Sequence, residues 1–387
     1  MKYFKNLSLN KKIIVYGVLS LFLPIYLCLP LLLCLLLFLL YKGEIVKAYR
    51  NVDKSYFILL FSILSFIVSL VYKNYVGAIC TIGVLMIMTF ILYYRLYIDR
   101  KLFEFILRLI VLLSLFSAAV GFFEYLNILH KNGIDSFQII IYSKRSNRIN
   151  SMYFNANYYA MMLEFFICIA FYKICKLFKN FKRKYKSIFK YSLTIFVNMF
   201  MLLLTGCRTA WPALIVGLLV IVVMDKHKHL CFILGVILIC ALTFFMFNPD
   251  KFPRIDSVVS YFFTRKGIWL TAIENIKVHP LFGEGPLTYW HIYELYNGHN
   301  THHAHSLYID PILNYGIVGI AVISPYVYSC LKRILSVFKY KRYRTLFALM
   351  LSFIFMVLVH GTMDITIYFI HTALLFMFVT TGFEIIK

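Results

Sequence analysis

The chain has 387 residues, 62% of them hydrophobic, 18% aromatic and only 14% charged, with 40 Lys and Arg against 16 Asp and Glu and a formal net charge of +24. Soluble domains carry about a quarter charged residues, so a water-soluble globule is excluded and lipid must be the solvent for this apolar surface. Nine cysteines lie scattered, mostly in apolar runs and with no C-x-x-C pair, which argues against a disulfide framework or a thiolate metal site.

The apolar runs are long and continuous, so they read as membrane helices and not as alternating barrel strands. The N-terminal stretch MKYFKNLSLNKKIIVYGVLSLFLP has a basic start, but its apolar run continues to Leu40 without a small-residue cleavage signal. It reads as a retained anchor. Spans are expected at 13–25, 27–41, 55–72, 75–94, 103–124, 157–175, 189–205, 209–224, 229–247, 306–330, 344–361 and 365–385. Pro24 and Pro30 interrupt the first run, since proline removes a backbone donor, and the first two spans read as a hairpin. With the N-terminus inside, most Lys and Arg fall in cytoplasmic loops. The net charge is therefore a topology signal and an attraction to anionic inner-leaflet lipid, and no nucleic-acid partner is expected.

Two segments stand on the expected outer side, 125–156 and 248–305. In the second, TRKGIWLTAIENIKVH places Ile268, Trp269, Ala272, Ile273 and Ile276 at helical spacing. An amphipathic helix near the outer interface is expected there. The fold class is all-α: one polytopic membrane domain over 1–387, about 12 transmembrane helices, with the extracytoplasmic loop 248–305 capping the site between helices 9 and 10.

Basic residues on the outer face run against the inward bias and invite explanation. Arg208 sits in LTGCRTAWP, Arg265 opens TRKGIW, and Arg145 and Arg148 precede NSMYFNANYYA. They read either as guanidiniums for a phosphate or diphosphate or as solvated and headgroup-facing side chains. His299, His302, His303 and His305 fall within seven residues, with His279 and His291 nearby. Three readings stand: metal ligands, for which no acidic partner is placed; a general base for a hydroxyl; or a polar interfacial loop. His305 precedes the tenth span, where free helix amides and the dipole suit an anion. LFGEGP carries Gly283 and Gly285 in a tight turn, and HGTMD puts His360 and Asp364 at the outer end of the eleventh span.

These pieces occur in an order that resembles the bacterial O-antigen ligase family, which also contains surface-polysaccharide polymerases. HSLYIDPILNYGIVG follows H-[NSQ]-x9-G-x-x-G through His305, Ser306, Gly316 and Gly319. RINSMYFNANYYA is similar to R-x-x-G-x-F-x-N-x-N-x-x-A, TGCRTAWPALIVG to S-R-x-A-x-x-x-L, TRKGIWLTAIENIKVHPLFGEGP to R-x-x-x-W…P-L-x-G-x-G-P, and HGTMD to a late H-x-x-x-D. The resemblance covers roughly 145–385. Ser151 stands where the pattern has glycine, and Asn314 where relatives often carry an acidic residue.

The resemblance implies a C-type glycosyltransferase that moves a glycan from undecaprenyl diphosphate to an acceptor hydroxyl with inversion, without metal or cofactor. It implies that Arg208 and Arg265 hold the diphosphate and that His305 orients or deprotonates the hydroxyl or binds the leaving group. Arg148, Asn157, Gly283, Gly285, His303 and Asp364 would bind substrate. Implied partners are an undecaprenyl-diphosphate-linked oligosaccharide, a glycan acceptor, membrane lipid, a chain-length regulator and a flippase. The acceptor is another repeat unit in a polymerase making capsule, exopolysaccharide or O-antigen, and lipid A core or another surface glycan in a ligase. The short chain and its Lys/Asn/Ile/Phe-rich composition favour the polymerase. A transporter of lipid-linked sugar would place ionisable groups near the midplane and show repeats; here the cluster is at one face. The expected location is the cytoplasmic (inner) membrane, with both termini cytoplasmic and the site extracytoplasmic.

Overall fold

A computed structural model of the chain describes residues 2–141, 144–178, 181–226 and 258–386, together with positions 235, 243 and 247. The expected span at 229–247 and the 248–257 part of the long loop lie outside the described residues. All regular elements among those described are helical.

The helices in chain order are α1 (Leu9–Leu19), α2 (Ile25–Tyr41), α3 (Glu44–Asn51), α4 (Tyr56–Val71), α5 (Tyr75–Tyr97), α6 (Arg100–Lys131), α7 (Ala156–Phe178), α8 (Phe181–Thr205), α9 (Ala210–Met224), α10 (Val258–Val278), α11 (Thr288–Ile292), α12 (Asp310–Val337), α13 (Arg344–His360) and α14 (Ile370–Thr380). Their starts are set by local chemistry. The Asn74 side chain accepts from Gly77 N at 2.8 Å to cap α5, and Asp99 accepts from Leu102 N at 2.8 Å to cap α6. Pro24 is the residue before α2, while Pro30 is absorbed inside it.

Five of the described helices are long and apolar enough to cross a membrane, or six if the pair α2 and α3, bent by 84°, is one broken span. Tyr56–Val71, Ala210–Met224 and Ile370–Ile386 are apolar but shorter. At 1.5 Å per residue α1 is only about 17 Å long, too short to cross a hydrocarbon core of roughly 30 Å alone. The expected inner loop at 42–54 instead contains α3, which turns off α2 at Gly43, a left-handed residue with φ 70°.

Helix α7 is the axis of the bundle, packed by α6, α8, α9, α13 and α14 and buried around almost its whole circumference. A helix that is apolar all round belongs in a core. The 258–305 segment forms a smaller cluster of its own: Ile268 and Ala272 of α10 pack with Tyr289, Ile292, Ala304 and Leu313, with Trp269 and Ile276 against them. A helix is present over this stretch, with Ile268, Trp269, Ala272 and Ile276 on its packed side, while Ile273 is 37% exposed and Phe263, Leu270 and Val278 are exposed as well.

Helix α12 is broken. Gly316 has φ 58° and ψ −176°, and the ladder lost there is restored from outside: Ile317 N donates to Pro280 O at 3.0 Å, Val318 N to Leu281 O at 2.9 Å, and Gly285 N to Asn314 O at 2.8 Å. A buried backbone needs such partners. The 280–285 turn and the kink of α12 are thus one structural unit.

Candidate functional site

The site gathers where α7 and α12 begin and α13 ends. Asp364, just beyond α13, is 4% exposed and both its carboxylate oxygens are taken. Its Oδ1 accepts from His305 Nδ1 at 2.8 Å, and its Oδ2 from Asn157 Nδ2 at 2.6 Å. Asn157 Oδ1 in turn accepts from Arg148 Nη2 at 2.7 Å, and Arg148 Nε donates to the Thr205 carbonyl at 2.6 Å. One hydrogen-bonded chain therefore links the end of α8, the start of α7 and His305.

Because His305 Nδ1 donates to a carboxylate, Nε2 of the neutral ring is left as an acceptor. The Thr301 hydroxyl lies 3.0 Å from it. The backbone of His305 is left-handed, φ 50°, and its N–H donates to His303 Nδ1 at 3.3 Å with the two rings 4.1 Å apart. Asp310 shapes this loop, accepting from Ala304 N at 2.7 Å and from Asn314 Nδ2 at 2.6 Å. An acidic residue at 314 would face Asp310 and repel it, whereas Asn314 donates to it. Helix α12 starts at Asp310 rather than at Ser306, since Pro311 favours a first turn and the Ser306 hydroxyl accepts from Tyr308 N and Ile309 N. His305 consequently lies five positions ahead of the helix and outside its first turn.

Burial pushes His305 below the usual imidazole range, though Asp364 opposes this, and burial followed by His305 pushes His303 down to about 3. Burial alone would raise Asp364; His305, His303 and Arg265 outweigh it and hold the carboxyl well below the usual carboxylate range. The state at neutral pH is an uncharged imidazole oriented by an anionic carboxylate.

Helix α10 supplies Arg265 and the ring that faces Arg208. Arg265 is partly buried and feels the charge of Asp364. Tyr261, one turn earlier, lies under the Arg208 guanidinium, whose carbon is 4.9 Å from the ring centroid. The Arg208 turn is buttressed from behind: His360 Nδ1 donates to Glu164 Oε1 at 2.7 Å, both fully buried, and His360 Nε2 is 3.2 Å from the Thr209 hydroxyl. Arg265 thus acts on Asp364 directly, Arg148 reaches it through Asn157, and Arg208 is tied to the helix of Arg265 through Tyr261.

Of the residues singled out from sequence, Arg148, Asn157, Arg208, Arg265, His303, His305 and Asp364 come together. Gly283 and Gly285 do not join them. A Cβ on Gly283 would meet the Asn314 backbone at 2.5 Å, and one on Gly285 the Ser69 hydroxyl at 2.1 Å; both have positive φ. Their need for glycine is a packing need against α12 and α4. His302 lies edge-on to Trp290, His279 Nδ1 pairs with the Tyr72 hydroxyl at 3.0 Å, and His291 Nε2 with Asn74 at 2.9 Å. The side chain of Arg145 lies outside the described residues. Thr301, Glu164 and Asp310 were not anticipated; only Glu164, a lone charge in the apolar run AMMLEFFICIAFY, carried a sequence signal.

His303, His305 and Asp364 hold their ligand atoms within 4.8 Å of one another, close enough to converge on a metal ion. Asp364 supplies the acidic partner that spacing did not reveal. Recruiting it would break the hydrogen bonds that orient His305 and Asn157, so these donors fit orientation of the imidazole better than ligation.

Residues 193–324 match the family model described as O-Antigen ligase, a stretch running from α8 into α12 and including Arg208, Arg265, Gly283, Gly285, His303 and His305. No curated protein matches the chain. Arg148, Asn157 and Asp364 lie outside the matched stretch but are bonded into the site it contains.

Proposed function

We propose, from the match of residues 193–324 to the O-antigen ligase family model, that the protein is a membrane glycosyltransferase acting on lipid-linked glycan, and specifically a polymerase of undecaprenyl-diphosphate-linked repeat units, building a capsule, exopolysaccharide or O-antigen outside the cytoplasmic membrane. The reading keeps both termini cytoplasmic and the site extracytoplasmic. One observation supports it above the rest: an Asp364-oriented His305 with Nε2 available stands among Arg148, Arg208 and Arg265.

The chemistry follows from that grouping. The acceptor hydroxyl takes the place of the Thr301 hydroxyl at His305 Nε2, which receives its proton as the oxygen attacks the anomeric carbon from the face opposite the diphosphate. The anomeric C–O bond breaks and its electrons leave on undecaprenyl diphosphate. Arg208 and Arg265 are fixed before reaction, so they stabilise this growing charge without reorganising. The step needs neither metal nor cofactor and inverts the anomeric centre. Arg148 and Asn157 act through Asp364, His303 supports the His305 backbone, and Gly283 and Gly285 hold the fold of α12.

The description of the matched family favours a second reading, ligation to lipid A core or another surface glycan. Purified protein supplied with lipid-linked repeat units, a chelator and no ion gradient separates the cases. Polymer is expected from repeat units alone, and His305→Ala and Arg208→Ala each lower its initial rate by about 10²-fold or more. Product only when a separate acceptor is added would make the protein a ligase. Full activity in both variants would remove the mechanism.

A further inference from the structure

A cavity of about 480 Å3 opens beside Arg148, between the 144–150 segment and the first turn of α7, lined by Lys144, Ser146, Arg148, Asn150, Phe154 and Asn155. Its size falls within the roughly 300–1,000 Å3 of small-ligand sites. Phe154 is its unusual member. The residue is left-handed, φ 64°, and its ring is 68% exposed. A bulky non-glycine side chain in that conformation is an outlier, and strain of this kind persists where surrounding structure enforces it. The surroundings do enforce it: Asn150 N and Ser151 N both donate to Glu124 Oε2, at 2.9 and 2.7 Å, and Asn157 N donates to Asn155 Oδ1 at 2.9 Å. The loop is locked on both sides of Phe154, and the ring is presented outward.

We infer, on the glycosyl-transfer reading above, that this cavity binds the acceptor glycan, with Phe154 as the stacking platform for a sugar ring. A pyranose has an apolar face of C–H groups and a rim of hydroxyls, so a site for it combines an aromatic ring with amides and hydroxyls. Phe154 supplies the ring, and Asn150, Asn155 and Ser146 the rim. Among the described residues the side-chain amide of Asn150 has no hydrogen-bond partner. The cavity also shares Arg148 with the chain Arg148–Asn157–Asp364–His305. An occupant therefore sits three hydrogen bonds from the base that must receive its hydroxyl proton.

The probe is the lipid-free repeat oligosaccharide released by mild acid from the host's lipid-linked intermediate. Its binding to purified protein in nanodiscs is followed by saturation-transfer NMR and titration, with thermal unfolding as a check on folding. Phe154→Ala should weaken binding about tenfold, the loss of one aromatic contact, and Phe154→Trp should retain it. Equal binding by Phe154→Ala and the parent overturns the inference, and if that variant also melts lower in bilayers, the ring is an interfacial anchor. No binding by the parent overturns it as well. A parent that binds through Phe154 yet elongates no repeat units leaves the subsite standing and removes the polymerase reading. A parent that elongates with an unchanged acceptor KM in Phe154→Ala does the reverse.

Discussion

With its Nδ1–H committed to Asp364, the His305 ring offers only Nε2 to an incoming hydroxyl, and only while uncharged. The groups around it pull in both directions: burial, Arg265 and His299 favour the neutral ring, and Asp364 favours the cation. The net shift is downward, so the neutral fraction persists below the free-imidazole value of about 6.5. A base whose pKa is lowered loses activity only as pH falls through that lowered value. The acid limb of the rate–pH profile should consequently lie below pH 6.5, measured as initial polymer formation from labelled lipid-linked repeats. A limb at or above 6.5 that vanishes in His305→Gln would show that the working ring is not held neutral. The cations and the imidazole were legible from sequence because polar groups at the mouths of apolar runs are costly and conspicuous. Asp364 as the orienter was not, because it lies 59 residues from His305 and the pairing is made by the packing of α13 against the loop before α12. Glu164 was legible in principle as a charge inside an apolar run, and its pairing with His360, across 196 residues of chain, was not.

Hydropathy reveals that helices exist and leaves their breaks unread, and α12 is the case that matters for the site. Its kink depends on tertiary donors and acceptors, the Pro280 and Leu281 carbonyls and the Gly285 amide, which no local pattern around Gly316 announces. The same holds for the fit of Gly283 and Gly285, whose G-x-G resembles a ligand turn until the backbone of Asn314 is seen beside it. Ser151 is a further instance: its φ of 53° accounts for a glycine in the family pattern, and here its hydroxyl bonds the Ser117 carbonyl at 2.8 Å while its amide bonds Glu124. Gly316→Ala would place a Cβ 2.3 Å from the Leu281 carbonyl group at a positive φ, so it should cost about 1–3 kcal/mol for the conformation alone and more for the clash. Gly83, in the middle of α5 with open space beside it, is the control: Gly83→Ala should be neutral or stabilising by up to about 1 kcal/mol. Detergent-solubilised melting curves compare the two. Equal melting temperatures would mean that the break in α12 is not fixed by Gly316.

Across the whole molecule, polar groups collect at the two ends of α7. Asn157 belongs to the site, and Lys173, sixteen residues on and so about 24 Å away, pairs with Glu104 at the far end, where Lys176 joins them. Near that end Arg95, 1% exposed, bonds Glu384 through Nε and Nη2 at 3.0 and 2.9 Å, and Arg333 holds the other carboxylate oxygen at 2.8 Å. Glu384→Ala would strand the Arg95 charge in the interior and should cost about 3–5 kcal/mol of stability, whereas Arg95→Met with Glu384→Leu should recover most of it; a melting curve on each variant reads this directly. The separation also fixes a topology test. Lys and Arg cluster at the Glu104–Glu384 end, so that end should face the cytoplasm, and Arg208, Arg265 and His305 should all face outward. Single cysteines at 208, 265 and 305, and others at 50 and 342, introduced into a chain with its native cysteines replaced, would be probed in intact cells with a membrane-impermeant maleimide. The first three should label in intact cells and the other two only after permeabilisation. Labels at 208, 265 and 305 that split between the two sides would dismantle the site, since three charges on opposite faces of a bilayer cannot share one leaving diphosphate.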